Sequence, residues 1–161
     1  MSEGNSSAFR ERGKSSQVIG IVGIWTLVSY KHESFEGIIF YPMGPYALGR
    51  LIYTEKGYFS VMIMKADRKQ FDAPSVFEAS AEEKLAASDG FIAYSGKYSF
   101  EDNKIVHQID MSFFPNWIGT THKSTAVLAN DTLSITTTAL SATAGAQDIA
   151  HIVWKKSELS G

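Results

Sequence analysis

The sequence predicts an all-β fold, a single antiparallel up-and-down β-barrel of about 8–10 strands with one short helical insertion. Short runs rich in β-branched and aromatic residues recur along the chain, and Gly, Pro, Asn and Asp separate them at regular intervals. Only the segment 80–88 is built from strong helix formers. With 161 residues, of which 44% are hydrophobic and 20% charged, the chain has the size and composition of one globular domain.

The elements follow in order along the chain. A polar, Ser-rich leader occupies 1–17, the barrel domain 18–157 and a short tail 158–161. Because the leader has no apolar run, and no segment approaches the roughly 20 apolar residues of a membrane span, we expect no membrane association and a cytoplasmic protein. Strands are predicted at 25–31, 37–41, 49–53, 58–64, 91–100, 104–113, 121–129, 132–139 and 149–155. Asp89-Gly90 is expected to end the helix as a glycine C-cap.

Two tight turns predict which residues face the barrel interior. A turn centred on Asp102-Asn103 fixes a register whose aromatic and aliphatic face must be the inner one. That face pairs Phe100 with Ile105, Tyr98 with His107, Gly96 with Ile109 and Tyr94 with Met111, while Lys97, Gln108 and Asp110 point outward. A second turn at Asn130-Asp131 pairs Leu128 with Leu133 and Ala126 with Ile135, and it places His122 inside.

The strand 58–64 is apolar on both faces, so its periodicity leaves its orientation open. Ser60 and Met62 lie on one face, and Phe59, Val61 and Ile63 lie on the other. A strand of this kind predicts a cover for its outer face, either the helix 80–88 or a second subunit in a homo-oligomer.

Tyr98 and His107 are the strongest candidates for chemistry, because directly opposed side chains have Cβ atoms roughly 4.5–5.5 Å apart and can share a hydrogen bond. Tyr94 would extend this polar line. The alternative is that these groups only satisfy one another inside a packed barrel. The remaining candidates are substrate contacts: Ser60, Met62, Phe100, Ile109, Met111, Asn116, Trp117 and His122. Asn116-Trp117 could instead simply turn a corner between Pro115 and Gly119.

Several classes of function are disfavoured. The chain has no cysteine, a net charge of −2 and no basic patch, so thiolate sites and nucleic-acid binding are not expected. The four histidines lack metal-ligand spacing, and we expect His32 and His151 to be solvated. No phosphate-binding loop, nucleophile elbow or zinc-binding helix motif occurs, so no cofactor and no metal are predicted.

Several motifs are similar to those of one family. They are Gly23-Ile24-Trp25, Tyr41-Pro42-Met43-Gly44-Pro45, Gly49-Arg50-Leu51-Ile52-Tyr53, Gly57-Tyr58-Phe59-Ser60, Ala93-Tyr94-Ser95-Gly96-Lys97-Tyr98, Val106-His107 and Ser112-Phe113-Phe114-Pro115-Asn116-Trp117-Ile118-Gly119. Together they resemble the small lipocalin-like domain family of bacteria and fungi, a calycin-type barrel, over residues 20–154. One departure is Gln108, which stands where that family often has a second polar residue, commonly histidine.

The resemblance implies a barrel around a central ligand pocket. It also implies that Trp25 plugs one barrel end and that Lys155 or Lys156 packs over it. Some similar barrels act as cyclases or isomerases in natural-product pathways. We therefore expect a hydrophobic small-molecule partner and, as first hypothesis, a cofactor-free cyclase or isomerase of a polyketide or terpenoid intermediate, using His107, Tyr98 and Tyr94. The alternatives are a non-catalytic carrier of an apolar ligand, or a barrel filled by its own aromatic side chains.

Overall fold

The structure is a computed structural model that describes residues 20–101, 104–140 and 147–158, apart from the side chains of residues 139 and 140. The predicted leader 1–17, the turn centre Asp102-Asn103 and residues 159–161 of the predicted tail lie outside the described residues.

The described residues form a closed antiparallel barrel. The strands are β1 (Gly23–Glu33), β2 (Ile39–Phe40), β3 (Leu48–Tyr53), β4 (Tyr58–Met64), β5 (Phe91–Glu101), β6 (Lys104–Ser112), β7 (Thr121–Ala129), β8 (Thr132–Leu140) and β9 (Gln147–Lys156). Strands β1 and β3 to β9 each pair with their neighbours, and β9 pairs back with β1. This closure confirms the predicted up-and-down barrel. Predicted strand 37–41 is wrong in extent, because β2 is only a short extension beside the end of β1.

The two barrel ends differ. At the end that we call the plugged end, β1 begins and tight hairpins join β3 to β4 and β7 to β8. At the opposite end, the loop end, the longer connections 34–47, 65–90 and 113–120 meet. The plugged end is sealed by Trp25, which is fully buried and whose indole Nε1 donates to the Ile21 carbonyl at 2.8 Å.

A lysine covers the tryptophan at the plugged end, as the resemblance implied. The Nζ atom of Lys156 lies 5.4 Å from the centroid of the Trp25 ring and donates to the Gly20 carbonyl at 3.1 Å. Lys155 instead points outward, with its Nζ 3.6 Å from the Asp131 carboxylate. The cation–π contact and the hydrogen bond together leave this end closed to a ligand.

The helical insertion, helix α1 (Ala81–Asp89), is confirmed. Ser80 caps its N-terminus in a capping box with Glu83. Gly90 follows at φ −107°, so it ends the helix without the left-handed conformation that a glycine cap usually supplies. The helix buries none of its own residues, and no helix in the described ranges is long and apolar enough to span a membrane.

Both predicted hairpin registers are correct near their turns. Tyr98 stands opposite His107, and Ala126 stands opposite Ile135. Further from the first turn, the predicted pairing of Tyr94 with Met111 is wrong. Gly96 pairs with Ile109 but Ser95 pairs with Met111, so Asp110 is an extra residue in β6. This β-bulge puts Ser112 opposite Tyr94 and turns Met111 outward, where it is 65% exposed.

Strand β4 is oriented by burial rather than by its pattern. Phe59, Val61 and Ile63 are almost fully buried and face the barrel interior. Ser60 and Met62 therefore face outward, and Met62 is 43% exposed. The predicted role of these two residues in lining the interior is corrected, because in a strand only alternate side chains can reach one face.

Candidate functional site

A small cavity of about 30 Å³ lies inside the barrel. Its walls combine apolar side chains with two imidazoles and three hydroxyl groups, from Leu51, Val61, Tyr94, His107, His122, Ser124, Ile135, Thr137, Ile152 and Trp154. A space of this size suits a water molecule, whereas sites for drug-sized ligands measure roughly 300–1,000 Å³. A larger ligand therefore requires side chains at one end of the barrel to move.

His107 is the most deeply held polar group of this cavity. Its Nε2 lies 2.8 Å from the Tyr53 hydroxyl, and its ring stacks on Phe59 with centroids 4.1 Å apart. Burial, and secondarily the nearby His122, lowers the pKa of His107 to about 3. Burial raises the pKa of the Tyr53 phenol. Both groups are consequently neutral at physiological pH.

The neutral pair determines where the imidazole proton lies. The Tyr53 hydroxyl has no acceptor other than His107 in the described chain, so it donates its hydrogen to Nε2. The proton of His107 then resides on Nδ1. No described residue accepts a hydrogen bond from Nδ1, so the cavity contains an imidazole N–H that is available as a donor.

Tyr98 does not share a hydrogen bond with His107, in contrast to the prediction. Its hydroxyl donates to the Thr54 carbonyl at 2.7 Å, which directs it away from the cavity. The partner of His107 is Tyr53 from β3, which lies across the barrel interior rather than in the adjacent strand. Tyr53 was not predicted, because the two hairpin registers identify contacts only between strands that a turn joins directly.

Tyr94 does line the cavity, on the side toward the loop end. Its ring packs edge-on against Phe59 and Trp117, with centroids 5.9 Å and 5.3 Å away. Burial raises the pKa of its phenol, which stays protonated. Within the ranges that the structure covers, the hydroxyls of Tyr94, Ser124 and Thr137 have no hydrogen-bond partner.

His122 is inside the barrel, as predicted, and lines the same cavity. Its Nε2 lies 3.1 Å from the Thr120 hydroxyl, which itself donates to the Trp117 carbonyl. Burial lowers the pKa of His122. Its ring contacts Trp117 at 5.3 Å, so Trp117 is held between Tyr94 and His122 at the loop-end side of the cavity.

The other predicted substrate contacts are placed away from the cavity walls. Ile109 faces inward and is buried, and Phe100 packs on the core toward the plugged end. Asn116 is exposed on a short 3₁₀ turn, Pro115–Trp117, and does not present its amide to the interior. Of the predicted residues, the cavity therefore brings together Tyr94, His107 and His122.

Comparison with known proteins decides the family. The model of the lipocalin-like domain family matches residues 22–157. The chain belongs to the lipocalin-like domain family. This lipocalin-like barrel is also similar to a 4'-hydroxy-3'-methoxypropiophenone carrier protein of Aspergillus oryzae, with 26% identity over 105 residues that cover 60% of this chain and 95% of the relative.

The lipocalin-like barrel contains a second polar cluster at its loop end. The Tyr30 hydroxyl lies 2.9 Å from His32 Nε2, and His32 Nδ1 lies 3.9 Å from Asp148 Oδ2. His32 was expected to be solvated, but it is only 8% exposed, because a bulge in β1 after Leu27 turns Tyr30 and His32 inward. Burial lowers the pKa of His32, and the Asp148 carboxylate opposes that shift.

His151 points away from this cluster. It faces outward, as predicted, with its Nε2 3.0 Å from the Glu33 carboxylate. Among the described residues, no group of three or more potential metal ligands comes together.

Proposed function

We propose that this lipocalin-like protein binds and carries a small aromatic molecule that bears a carbonyl group. The observation that supports the proposal is the combination, in one cavity, of an imidazole N–H on His107 with three hydroxyls that have no partner in the described chain. Buried polar groups are normally hydrogen-bonded, so donors left over in a barrel interior favour a ligand that supplies acceptors.

A ligand carbonyl fits these donors. The His107 Nδ1–H would donate to the carbonyl oxygen, and Thr137, two strands further round the barrel on β8, would donate its hydroxyl hydrogen. An aromatic ring would pack against Val61, Ile135 and Ile152, which line the same space. The relative's ligand, 4'-hydroxy-3'-methoxypropiophenone, is an aromatic ketone of this kind.

The ligand would enter at the loop end, since Trp25 and Lys156 close the other end. The long connections at the loop end carry aromatic side chains in solvent, of which Phe35, Tyr46 and Phe77 are 92%, 82% and 89% exposed. Such a surface favours the approach of an apolar ligand. Trp117 stands on the route, and its displacement would enlarge the cavity.

Calorimetric titration with 4'-hydroxy-3'-methoxypropiophenone tests the proposal. The variant Thr137→Val removes one cavity hydroxyl without changing side-chain volume, and Thr136→Val is the matched control because it faces outward on the same strand. We expect saturable binding to the wild type and the control, and binding about tenfold weaker for Thr137→Val. The absence of saturable binding to the wild type, or equal affinities of all three proteins, would contradict the proposal.

A second candidate is a cyclase or isomerase that acts on a hydrophobic polyketide or terpenoid intermediate. The observation that favours it is the neutral imidazole of His107, since a neutral imidazole N–H can polarise a carbonyl. The α-hydrogens of the same ketone distinguish the two functions in D₂O. A carrier leaves their exchange rate at the buffer value, whereas an enzyme that activates the carbonyl accelerates exchange and loses the acceleration in His107→Gln.

A further inference from the structure

The carboxylate of Asp148 is buried beside His32 without a close hydrogen bond in the described chain. Asp148 is 1% exposed, and neither of its oxygens accepts a hydrogen bond in the described chain. Its ion-pair partner among the described residues is His32, whose Nδ1 lies 3.9 Å from Oδ2. A buried carboxylate that lacks hydrogen bonds is strongly unfavourable, so its presence points to a partner that binds there.

The cluster has more acceptor sites than donor hydrogens. Because the Asp148 carboxylate lies beside Nδ1 of His32, it favours the proton on that nitrogen, and Nε2 then accepts from the Tyr30 hydroxyl at 2.9 Å. The Tyr30 oxygen and the Asp148 oxygens retain free lone pairs. A group that completes this cluster must therefore donate hydrogen bonds.

The cluster lies on the same inner side of the barrel as the cavity, toward the loop end. Asp148 lies on the inward face of β9, two residues beyond Ala150, which pairs with the cavity-lining Thr137. Two residues of a strand span roughly 7 Å, with Asp148 on the loop-end side. Tyr30 pairs with Ile152, which lines the cavity wall, so Tyr30 lies between the cavity and Asp148.

We infer that Asp148, with His32 and Tyr30 behind it, binds a hydroxyl group of the ligand at the loop end of the barrel. The inference rests on the proposed function, since it gives the second anchoring point of the same ligand. The carbonyl end lies deep in the barrel at His107, and the hydroxyl end lies outward at Asp148. The ligand class is therefore an aromatic ketone with a hydroxyl on the far side of its ring.

The specific probe pair is 4'-hydroxypropiophenone and its methyl ether, 4'-methoxypropiophenone, in which a methyl group replaces the donor hydrogen. Affinities are measured for the wild type, for Asp148→Asn and for the control Asp131→Asn, whose carboxylate is exposed on the β7–β8 turn at the plugged end. Since hydrogen bonds to charged groups are strong, we expect the wild type and the control to prefer the phenol at least tenfold, and Asp148→Asn, whose neutral amide oxygen is a weaker acceptor, to lose most of that preference.

A second readout does not depend on ligand. Asp148→Asn removes a buried carboxylate that accepts no hydrogen bond in the described chain, so the ligand-free variant should melt at a higher temperature than the wild type, whereas Asp131→Asn should not. If Asp148→Asn fails to fold, Tyr30→Phe is tested instead. This variant should prefer the phenol over the methyl ether by a smaller factor than the wild type does. A wild type that binds both ketones with equal affinity overturns the inference and leaves the carrier proposal standing.

Two other results are also decisive. Binding of neither ketone overturns the proposed function, and this inference with it. Tighter binding of phenethylamine than of 4'-hydroxypropiophenone, abolished in Asp148→Asn, overturns the hydroxyl assignment and makes the cluster a site for an ammonium group.

Discussion

Acidification should destabilise the protein through His107. Its pKa lies near 3 in the folded barrel, against an ordinary value of 6.5. Between these values the unfolded chain binds a proton that the folded chain excludes, so stability falls as pH falls, by up to about 1.4 kcal/mol per pH unit. From pH 7 to pH 5 the loss from this one residue is about 2 kcal/mol, and in full, toward pH 3, it is about 5 kcal/mol.

The assay is urea unfolding monitored by tryptophan fluorescence at pH 7, 6 and 5. Burial also lowers the pKa of His32 and of His122, so the effect of His107 is taken as the difference from His107→Gln, whose amide still accepts from Tyr53. The wild type should lose about 2 kcal/mol more than the variant over this range. Parallel curves for the two proteins would refute the reasoning, because they would mean that His107 is not held neutral by burial.

Three further substitutions test other parts of the structure. Tyr53→Phe removes the hydroxyl that pairs with the buried imidazole, and its free energy of unfolding should fall by about 1–3 kcal/mol in urea denaturation. Gly96→Ala places a methyl group against the Gln108 carbonyl at the β-bulge and should lower the melting temperature far more than Gly90→Ala, which meets only flexible side chains and one ordinary contact. Trp117→Ala opens the route to the cavity, so stopped-flow association of 4'-hydroxy-3'-methoxypropiophenone should be faster than in the wild type; an unchanged rate would show that Trp117 does not obstruct access.

The barrel could be predicted from sequence because the residues that indicate strand pairing lie in short, contiguous stretches of the chain. In the sequence, Asp102-Asn103 and Asn130-Asp131 predict tight turns, and a tight turn fixes the pairing of the strands on either side of it. The pairing of Tyr98 with His107 follows directly. Conversely, the position of the extra residue Asp110 was missed, because Gly96 within β5 is only a weak sign of a bulge in the strand beside it.

The polar partners were harder to predict because they meet across the interior. The contact of Tyr53 with His107 joins strands that are not adjacent in the sheet, and no turn connects them. A partial signal existed: outward-pointing Arg50 requires Leu51 and Tyr53 to face inward. Asp148 and Trp154 are an even number of residues apart in β9, so their side chains face the same way. A predicted strand that began at residue 148 instead of 149 would therefore have placed Asp148 on the inner face.

The orientation of β4 depends on packing that sequence does not specify. Both of its faces are apolar, and only the burial of Phe59 and Val61 shows which one fills the barrel. The outer face keeps Met62 accessible, and helix α1, which buries none of its own residues, does not cover it. The apolar character of Met62 therefore did not indicate that this residue lines a pocket.

The state of the His107 imidazole provides the most direct test of the proposal that the barrel holds a carbonyl ligand in its interior. Long-range ¹H–¹⁵N NMR spectra at pH 6 report its charge and tautomer, before and after saturation with 4'-hydroxy-3'-methoxypropiophenone. The expected spectrum is that of a neutral ring with its proton on Nδ1, and the ketone should shift the Nδ1 resonance as the new hydrogen bond forms. A charged ring, or an Nδ1 resonance that does not move at saturation, would contradict binding at this site.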